Sequence, residues 1–460
     1  MNYLGINLEV KHLPELDPGF IPLGRFFEAF SATAKEPFGI AVERSCGQVA
    51  VQETCIHGTE EYFAADVYYI DRMVKTLLWM KGGFRVYLRG NEKVAQTIRE
   101  RYSLTGQRAF DADFMAGVYE RPFEVLLVDE LPQEKGAAQA IGRHLSGCRI
   151  GFDAGGSDRK VSAVIDGESV FSEEVVWFPK TTADPQYHYD GIVSALKAAA
   201  AHMPRVDAVG VSSAGVYIDD RAMIASLFLS VPKEIYDEKV KDIYIRAITD
   251  TFGHIPYAVA NDGDVTALAG AMSLEDNNVL GIAMGTSEAA GFVDADGNIT
   301  GWLNELAFVP ADYNKEAMLD EWSGDYGCGV KYFSQDAVIK LAPAAGIELD
   351  EKASPAEKLK VVQGLMAKGD ERAAKIYESI GAYFGYAVAY YAIFYDIKHV
   401  LLMGRVSSGE GGNILHKNAQ KVLAEEFPEL AEKITIHLPD ESSRRVGQSI
   451  AAASLPSIQK

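Results

Sequence analysis

A chain of 460 residues exceeds what one hydrophobic core usually supports, so two or three compact units are expected. With 48% apolar and 24% charged residues it has the balance of a folded globular protein, which argues against disorder. A formal charge of -21 without any Lys/Arg-rich run argues against nucleic acid and membrane surfaces as partners, but not against a nucleotide neutralised by backbone N–H groups and Mg²⁺.

Four widely spaced cysteines, Cys46, Cys55, Cys148 and Cys328, form no C-x-x-C pair, so neither a disulfide framework nor a structural zinc site is expected. No apolar run reaches about 18 residues, and the opening MNYLGINLEVKHLPELD lacks a basic-then-apolar leader. A cytoplasmic protein with reduced thiols is the expectation.

From Met1 to about Gly147, strand-like pieces (FGIAVER, QVAVQET, FRVYLRG, FEVLLVDEL) alternate with helical ones (YYIDRMVKTLLWMK, EKVAQTIRERY), which predicts a small α/β unit without a legible function. Its order of strands and helices faintly echoes that of the segment beginning at Cys148, as a degenerate duplication would. From Cys148, CRIGFDAGG and KVSAVIDGESVFSEEVVWF alternate apolar positions around Gly-containing turns and predict antiparallel strands. The helix DGIVSALKAAAAHM, the strand AVGVSSAG, the helix KVKDIYIRAITDTFG and the strand PYAVANDGD then predict a mixed or parallel sheet covered by helices. A third segment, NVLGIAMGTSEAAGFVDADGNI, again opens as strand, turn and strand. After an irregular Trp- and Asp-rich stretch, helices dominate, interrupted by the apolar strand HVLLMG, and RRVGQSIAAASLP closes the chain as a helix. Two similar openings with Gly-rich turns suit two lobes closing on a nucleotide.

Four places carry residues suited to chemistry. In GFDAGGSDRK, Asp153 ends a strand and is suited to hold Mg²⁺ through water, while Gly155, Gly156 and Ser157 form a turn whose backbone can approach phosphate; an ordinary hairpin turn fits equally. In MGTSEAAGF, Gly285, Thr286 and Ser287 offer N–H and hydroxyl donors to a second phosphate. In YAVANDGDVTALAGA, Asp262 at a strand's C-terminal end can accept a hydroxyl proton while Asn261 orients that hydroxyl; the competing reading makes Asp262 a plain N-cap. In LLMGRVSSGEGG, Gly404 lets an adenine ring lie against backbone, although a plain strand-to-helix loop fits too. Asp219 and Asp220, just past a turn, read as solvated charge.

Taken in order, FDAGGSDRK, VGVSSAG, PYAVANDGDVTALAGA, AMGTSEAAGFV and FYDIKHVLLMGRVSSG resemble the motifs of the ROK family of sugar kinases and sugar-responsive repressors, in the superfamily that also holds hexokinase and actin. The resemblance runs from about Cys148 to Leu455. It implies an α/β chain with a two-lobed actin-like/hexokinase-type ATPase fold and mixed sheets, plus an extra N-terminal α/β domain at 1–147. The first lobe would span 148–272, with a C-terminal helix at 446–458 packing back on it, and the second 273–445. It further implies Asp262 as the catalytic base, Asn261 and Glu305 as acceptor ligands, and ATP with Mg²⁺ held by Asp153, Gly155, Gly156, Ser157, Lys160, Gly285, Thr286, Ser287 and Gly404.

The departures from the family pattern lie on the acceptor side. Phe308 stands where the family has its zinc-binding His, and GDYGCGVKYFSQDA keeps only Cys328 of the cysteine-rich zinc motif, so no zinc is expected. Val330 takes the place of a second sugar-binding Glu, and ASLFLSVP replaces the segment that supplies an Asn. Ser287, Glu288, Ala289 and Ala290 stand where the family prefers glycines, and Glu288 would repel phosphate unless it points away. Family repressors carry a basic helix-turn-helix in front of the core; here residues 1–147 have a net charge of about -4 and a Pro-interrupted, strand-forming start.

The expectation is an ATP-dependent phosphotransferase acting on a hydroxyl of a sugar-like small molecule, with a homodimer allowed but not required. The alternative is a non-catalytic nucleotide or sugar sensor derived from a sugar kinase. A third reading, an ATPase activator of a CoA-dehydratase system, needs cysteines for an iron–sulfur cluster, a spacing that Cys148 and Cys328 lack.

Overall fold

In a computed structural model of the chain, residues 1–136, 141–439 and 441–458 are described, the side chains of 441–446 excepted. The chain groups into two compact units. One joins Met1–Gly136 to Ile282–Ala290 and Trp302–Leu438; the other holds Ala137–Gly281, Gly291–Gly301 and Pro439–Lys460. In this grouping residues 1–136 share a unit with the segment that begins at Trp302.

In the first unit, β1 (Asn2–Tyr3) and β2 (Ile6–Asn7) precede helix α1 (Leu23–Thr33). The Pro-interrupted opening reads as strand-forming, yet 23–33 is helical. Pro22 takes an extended conformation at the N-cap, and Leu23, Phe26, Phe27 and Phe30 fall on one face at helical spacing. Strands β3 (Glu36–Arg44) and β4 (Gln48–Ile56) form a hairpin, followed by α2 (Phe63–Lys81), β5 (Arg85–Arg89), α3 (Glu92–Arg101), α4 (Ala109–Tyr119) and β6 (Glu124–Leu127). The sheet order is β4-β3-β5-β6. Helix α2 is buried on nearly every side from Ala65 to Lys81, as a helix inside a core rather than on its surface must be.

The second unit opens with the meander β7 (Cys148–Ala154), β8 (Asp158–Ile165) and β9 (Glu168–Val176), then α5 (Pro185–Ala200), β10 (Ala208–Ser213), the hairpin β11 (Val216–Ile218) and β12 (Arg221–Ile224), α6 (Lys233–Lys239), α7 (Ile243–Phe252), β13 (Tyr257–Asn261) and α8 (Asp262–Leu274). Its sheet runs β13-β10-β7-β8-β9, parallel across β13, β10 and β7 and antiparallel beyond. In the front sheet β3 pairs antiparallel with β5, whereas β7 pairs parallel with β10, so the echo between them is not a repeat of topology.

Strands β14 (Val279–Met284) and β15 (Glu288–Val293) pass from one unit's segment to the other's. They lie in a sheet ordered β15-β14-β16-β17 with β16 (His399–Met403) and β17 (Thr435–His437). Between and after them come α9 (Gln335–Leu341), α10 (Pro355–Ala367), α11 (Glu371–Tyr391), α12 (Gly409–Glu426) and α13 (Pro428–Ala431). Helix α11 presents Gly381 and Gly385 to α12, where added Cβ atoms would meet the Leu415 and Ala419 carbonyls at 2.6 and 2.8 Å, so the two backbones pack closely. The last helix, α14 (Glu441–Ala453), lies on the second unit's sheet: a Cβ at Gly151 or Gly210 would collide with the Ser449 or Ala452 carbonyl. Among the described residues no helix is long and apolar enough to cross a membrane.

Candidate functional site

Three parallel strands of the second unit end in register. Asp153 pairs with Ser212, which pairs with Ala260, and one step on Ala154 pairs with Ser213, which pairs with Asn261. The carboxyl ends of β7, β10 and β13 therefore bring Asp153, the Gly155–Ser157 turn and Asn261-Asp262 to one edge, the usual place for a ligand in such sheets.

At that edge Asn261, not Asp262, is the N-cap of α8. Its side-chain oxygen accepts from the Gly263 N–H at 2.7 Å while its amide donates to the Gly215 carbonyl at 2.7 Å. Asp262 is then the first helical residue. It shares the Gly263 N–H at 3.0 Å but has no capping duty of its own. Burial pushes its carboxyl pKa up, against the Gly263 N–H, its own N–H and the positive charge of Lys180. On the far side of the helix start, Gly291 of β15 packs on Gly263, where any Cβ would clash, and the Phe292 N–H donates to Asp264 at 3.1 Å. The helix N-terminus is pinned on both sides.

Asp153 accepts from the Ser212 hydroxyl at 3.0 Å. Burial raises its pKa from 3.8 to about 6, opposed by that hydrogen bond and reinforced by the charge of Asp262. The turn after it is stapled by Trp177, whose indole N–H donates to the Gly155 carbonyl at 2.7 Å and whose backbone N–H donates to the Ser157 carbonyl at 3.1 Å. Gly155 is needed because a Cβ would meet the Asp158 carbonyl at 2.6 Å.

Lys160 lies across the hairpin from Asp153, but its ammonium is in an ion pair with Glu174 at 2.8 Å. The lysine beside the turn is Lys180. From the short helical turn Pro179–Thr181, it places Cε and Nζ at 3.0 and 3.2 Å from where a Gly156 Cβ would stand. Sequence reasoning missed it. The available signal was a lysine just past an edge strand that returns toward the Gly-Gly turn, and only the β7-β8-β9 meander shows that it returns there. Asp220, read as solvated, accepts from the Val259 N–H at 2.7 Å, and burial raises its pKa to about 6; Asp219 is exposed.

The first unit holds the remaining candidates. Gly285 turns back on Ser287, its N–H donating to that carbonyl at 2.9 Å, while its own carbonyl accepts from the Gln335 N–H at 3.0 Å; Thr286 and Ser287 are exposed. Gly404 has φ +99°, and a Cβ there would collide with the backbone of Met284, so the chain reverses over β14 only with glycine. Glu288 does point away from the exposed turn. It is 3% exposed, neither carboxyl oxygen has a hydrogen-bond partner among the described residues, and burial, then the charge of Glu305, pushes its pKa well up.

Glu305 is half-buried and caps a short helical turn, Leu306–Phe308. Its backbone N–H donates to the Trp79 carbonyl at 3.0 Å, and the Asn304 N–H donates to the Met80 carbonyl at 3.0 Å. Phe308 stacks on Trp79 with ring centroids 4.2 Å apart. Cys328 is fully buried near Asp325, and burial raises its thiol pKa to about 12.

A family model described as "ROK family" matches residues 149–453. No curated protein sequence matches the chain. Among solved structures, the ROK hexokinase of Thermus thermophilus aligns with a TM-score of 0.51 at 19% identity, over 66% of this chain and 97% of that one. A ROK family transcriptional regulator, a homolog of the E. coli MLC protein, aligns with a TM-score of 0.53 at 17% identity, over 79% and 87% of the two chains. These likenesses show the fold, the mixed α/β architecture of the hexokinase and actin-like ATPases, with separate α/β elements in front of it. The chain belongs to the ROK family.

Proposed function

We propose that this chain is an ATP-dependent phosphotransferase acting on a hydroxyl of a sugar-like small molecule. The observation that carries the reading is Asp262: released from capping by Asn261, partly buried with a raised pKa, and set at the same sheet edge as Asp153 and the Gly155–Ser157 turn.

In this reading the acceptor hydroxyl approaches Asp262, and its oxygen forms a bond to the γ-phosphorus of ATP. The bond from that phosphorus to the β–γ bridging oxygen breaks, its electron pair leaves with ADP, and the hydroxyl proton passes to the Asp262 carboxylate. Asn261 keeps one amide hydrogen and one lone pair for the acceptor, since its other positions serve Gly215 and Gly263. Lys180 and the N–H groups of the 155–157 turn stabilise phosphoryl charge by position alone. The hard carboxylate oxygens of Asp153, with Asp158 and Asp262 adding negative charge, fit Mg²⁺; the bound ion would neutralise phosphate charge. Glu305 would contact the acceptor, and the exposed Thr286-Ser287 turn and Gly404 would contact the nucleotide.

ADP release over a panel of sugars tests the reading. Turnover with at least one sugar, lost in Asp262→Asn, is expected; no turnover above background, or activity indifferent to that substitution, sinks it. The second reading, a sensor that binds without transfer, is favoured by the altered acceptor side at Phe308 and Val330 and by the transcriptional regulator among the structural relatives. Calorimetry with ATP and sugars separates the two: binding without transfer selects the sensor.

A further inference from the structure

Helix α2 ends deep inside the first unit, and its last four carbonyls all find partners, the first from the cap residue and the other three from outside the helix. Leu78 takes the Gly82 N–H at 2.9 Å, Trp79 the Glu305 N–H at 3.0 Å, Met80 the Asn304 N–H at 3.0 Å, and Lys81 the Arg44 guanidinium at 3.3 Å. Two of the four are thus amides of the Asn304-Glu305 pair. Asn304 sits at φ +51°, a conformation that needs support in a residue other than glycine, and its side chain accepts from the Tyr395 hydroxyl at 2.9 Å. Lys81 lies 3.1 Å above the Trp302 ring and donates to the Phe394 carbonyl at 2.8 Å, fixing the chain just before Asn304.

The same helix, together with Arg108 at the start of α4, grips a second loop by charge. Asp325 is in ion pairs with Arg72 at 2.5 Å, Arg108 at 2.7 Å and Lys75 at 3.1 Å. Lys75 also pairs with Asp111 at 3.0 Å, which accepts from the Trp79 indole N–H at 2.6 Å. Although burial opposes it, the three cations hold the Asp325 carboxyl well below the usual range, so the cluster stays charged inside a core. Apolar residues of similar volume would stabilise such a core as well or better, and what an ion cluster adds is fixed direction. Trp79 joins the two grips, stacking on Phe308 three residues past Glu305 while bonding Asp111.

We propose that the front segment, through α2, is the positioning element of the acceptor half of the site: its last turn sets the Glu305 backbone, and Arg72, Lys75 and Arg108 set the loop from Asp325 to Val330. This rests on the reading that Glu305 meets the acceptor. It gives residues 1–136 a role that the stretch alone does not disclose.

The test compares Trp79→Leu, which removes both the stack and the indole N–H, with Trp79→Phe, which keeps the stack, and with Asp325→Asn. Steady-state kinetics use the best sugar of the wild-type panel, alongside hydrogen exchange of the 300–310 amides. In Trp79→Leu, acceptor KM is expected to rise about tenfold or more while ATP KM stays within about twofold, with faster exchange at Asn304 and Glu305. Trp79→Phe should recover most of the acceptor KM. Acceptor KM unchanged in a folded Trp79→Leu, or acceptor and ATP KM rising together, overturns the proposal. If Trp79→Leu does not fold, the same KM split in Asp325→Asn decides. A wild type that turns over no sugar removes this proposal together with the kinase reading, whereas an active wild type with indifferent variants removes this proposal alone.

Discussion

Replacing Asp153 by Asn separates what this carboxylate does for the fold from what it does for chemistry. In the folded chain its pKa is raised from 3.8 to about 6, first by burial and then by the charge of Asp262. A carboxyl whose folded pKa is raised favours folding only while protonated, so that contribution is complete below about pH 4 and lost as pH climbs through about 6. At about 1.4 kcal/mol per pH unit, the ionised group costs the fold about 3 kcal/mol at pH 8 and about 1 kcal/mol at pH 4.5. Asn keeps the oxygen that accepts from Ser212 and carries no charge. Asp153→Asn should therefore be more stable than wild type by up to about 3 kcal/mol at pH 8, with the gain falling by about 2 kcal/mol at pH 4.5. Urea titrations of both proteins at the two pH values read this directly, and m should not change. Added Mg²⁺ should raise the wild-type midpoint at pH 8 but not that of the variant, which should also lose phosphotransfer. A variant less stable than wild type at pH 8, or a difference independent of pH, refutes the electrostatic reasoning.

Other outcomes rest on single contacts. Lys180→Met should lower turnover about 10²- to 10³-fold, with Lys180→Arg partly active and Lys160→Met near wild type; equal effects at 160 and 180 in initial-rate assays would contradict the assignment. Gly404→Ala puts a Cβ into the Met284 backbone at φ +99° and should cost about 3 kcal/mol or more in denaturant unfolding; a cost under about 1 kcal/mol would mean the turn is not constrained as described. A thiol reagent should modify exposed Cys46 first and reach buried Cys148 and Cys328 only on unfolding, as counted by absorbance with and without denaturant. Early modification of Cys328 would contradict its burial.

Much of the core was legible because its signals are local. The alternation of β7 and β8 around Asp-Ala-Gly-Gly, the Asn-Asp step that ends β13 and opens α8, and the Gly after Met403 each follow from spacing and turn chemistry within a dozen residues. So does the family, whose motifs are such local units in a fixed order. Which residue caps α8 was left open by the chain because Asn261 and Asp262 are both good caps, and only backbone geometry decides which one caps. Lys160 and Lys180 could not be ranked from the chain either, since the Glu174 partner of one and the Gly156 neighbour of the other depend on how the meander folds back.

What the sequence by itself determined is therefore the kind of fold and the candidate residues at strand ends, where short-range spacing dictates both. The tertiary structure alone decided which way each buried carboxyl is shifted, with the pKa of Glu288 pushed up and that of Asp325 held down, because that depends on cations brought from distant segments or on their lack. It alone also decided that residues 1–136 belong with the segment carrying Glu305: two of the carbonyls at the end of α2, those of Trp79 and Met80, find their N–H donors at Glu305 and Asn304, more than two hundred residues away.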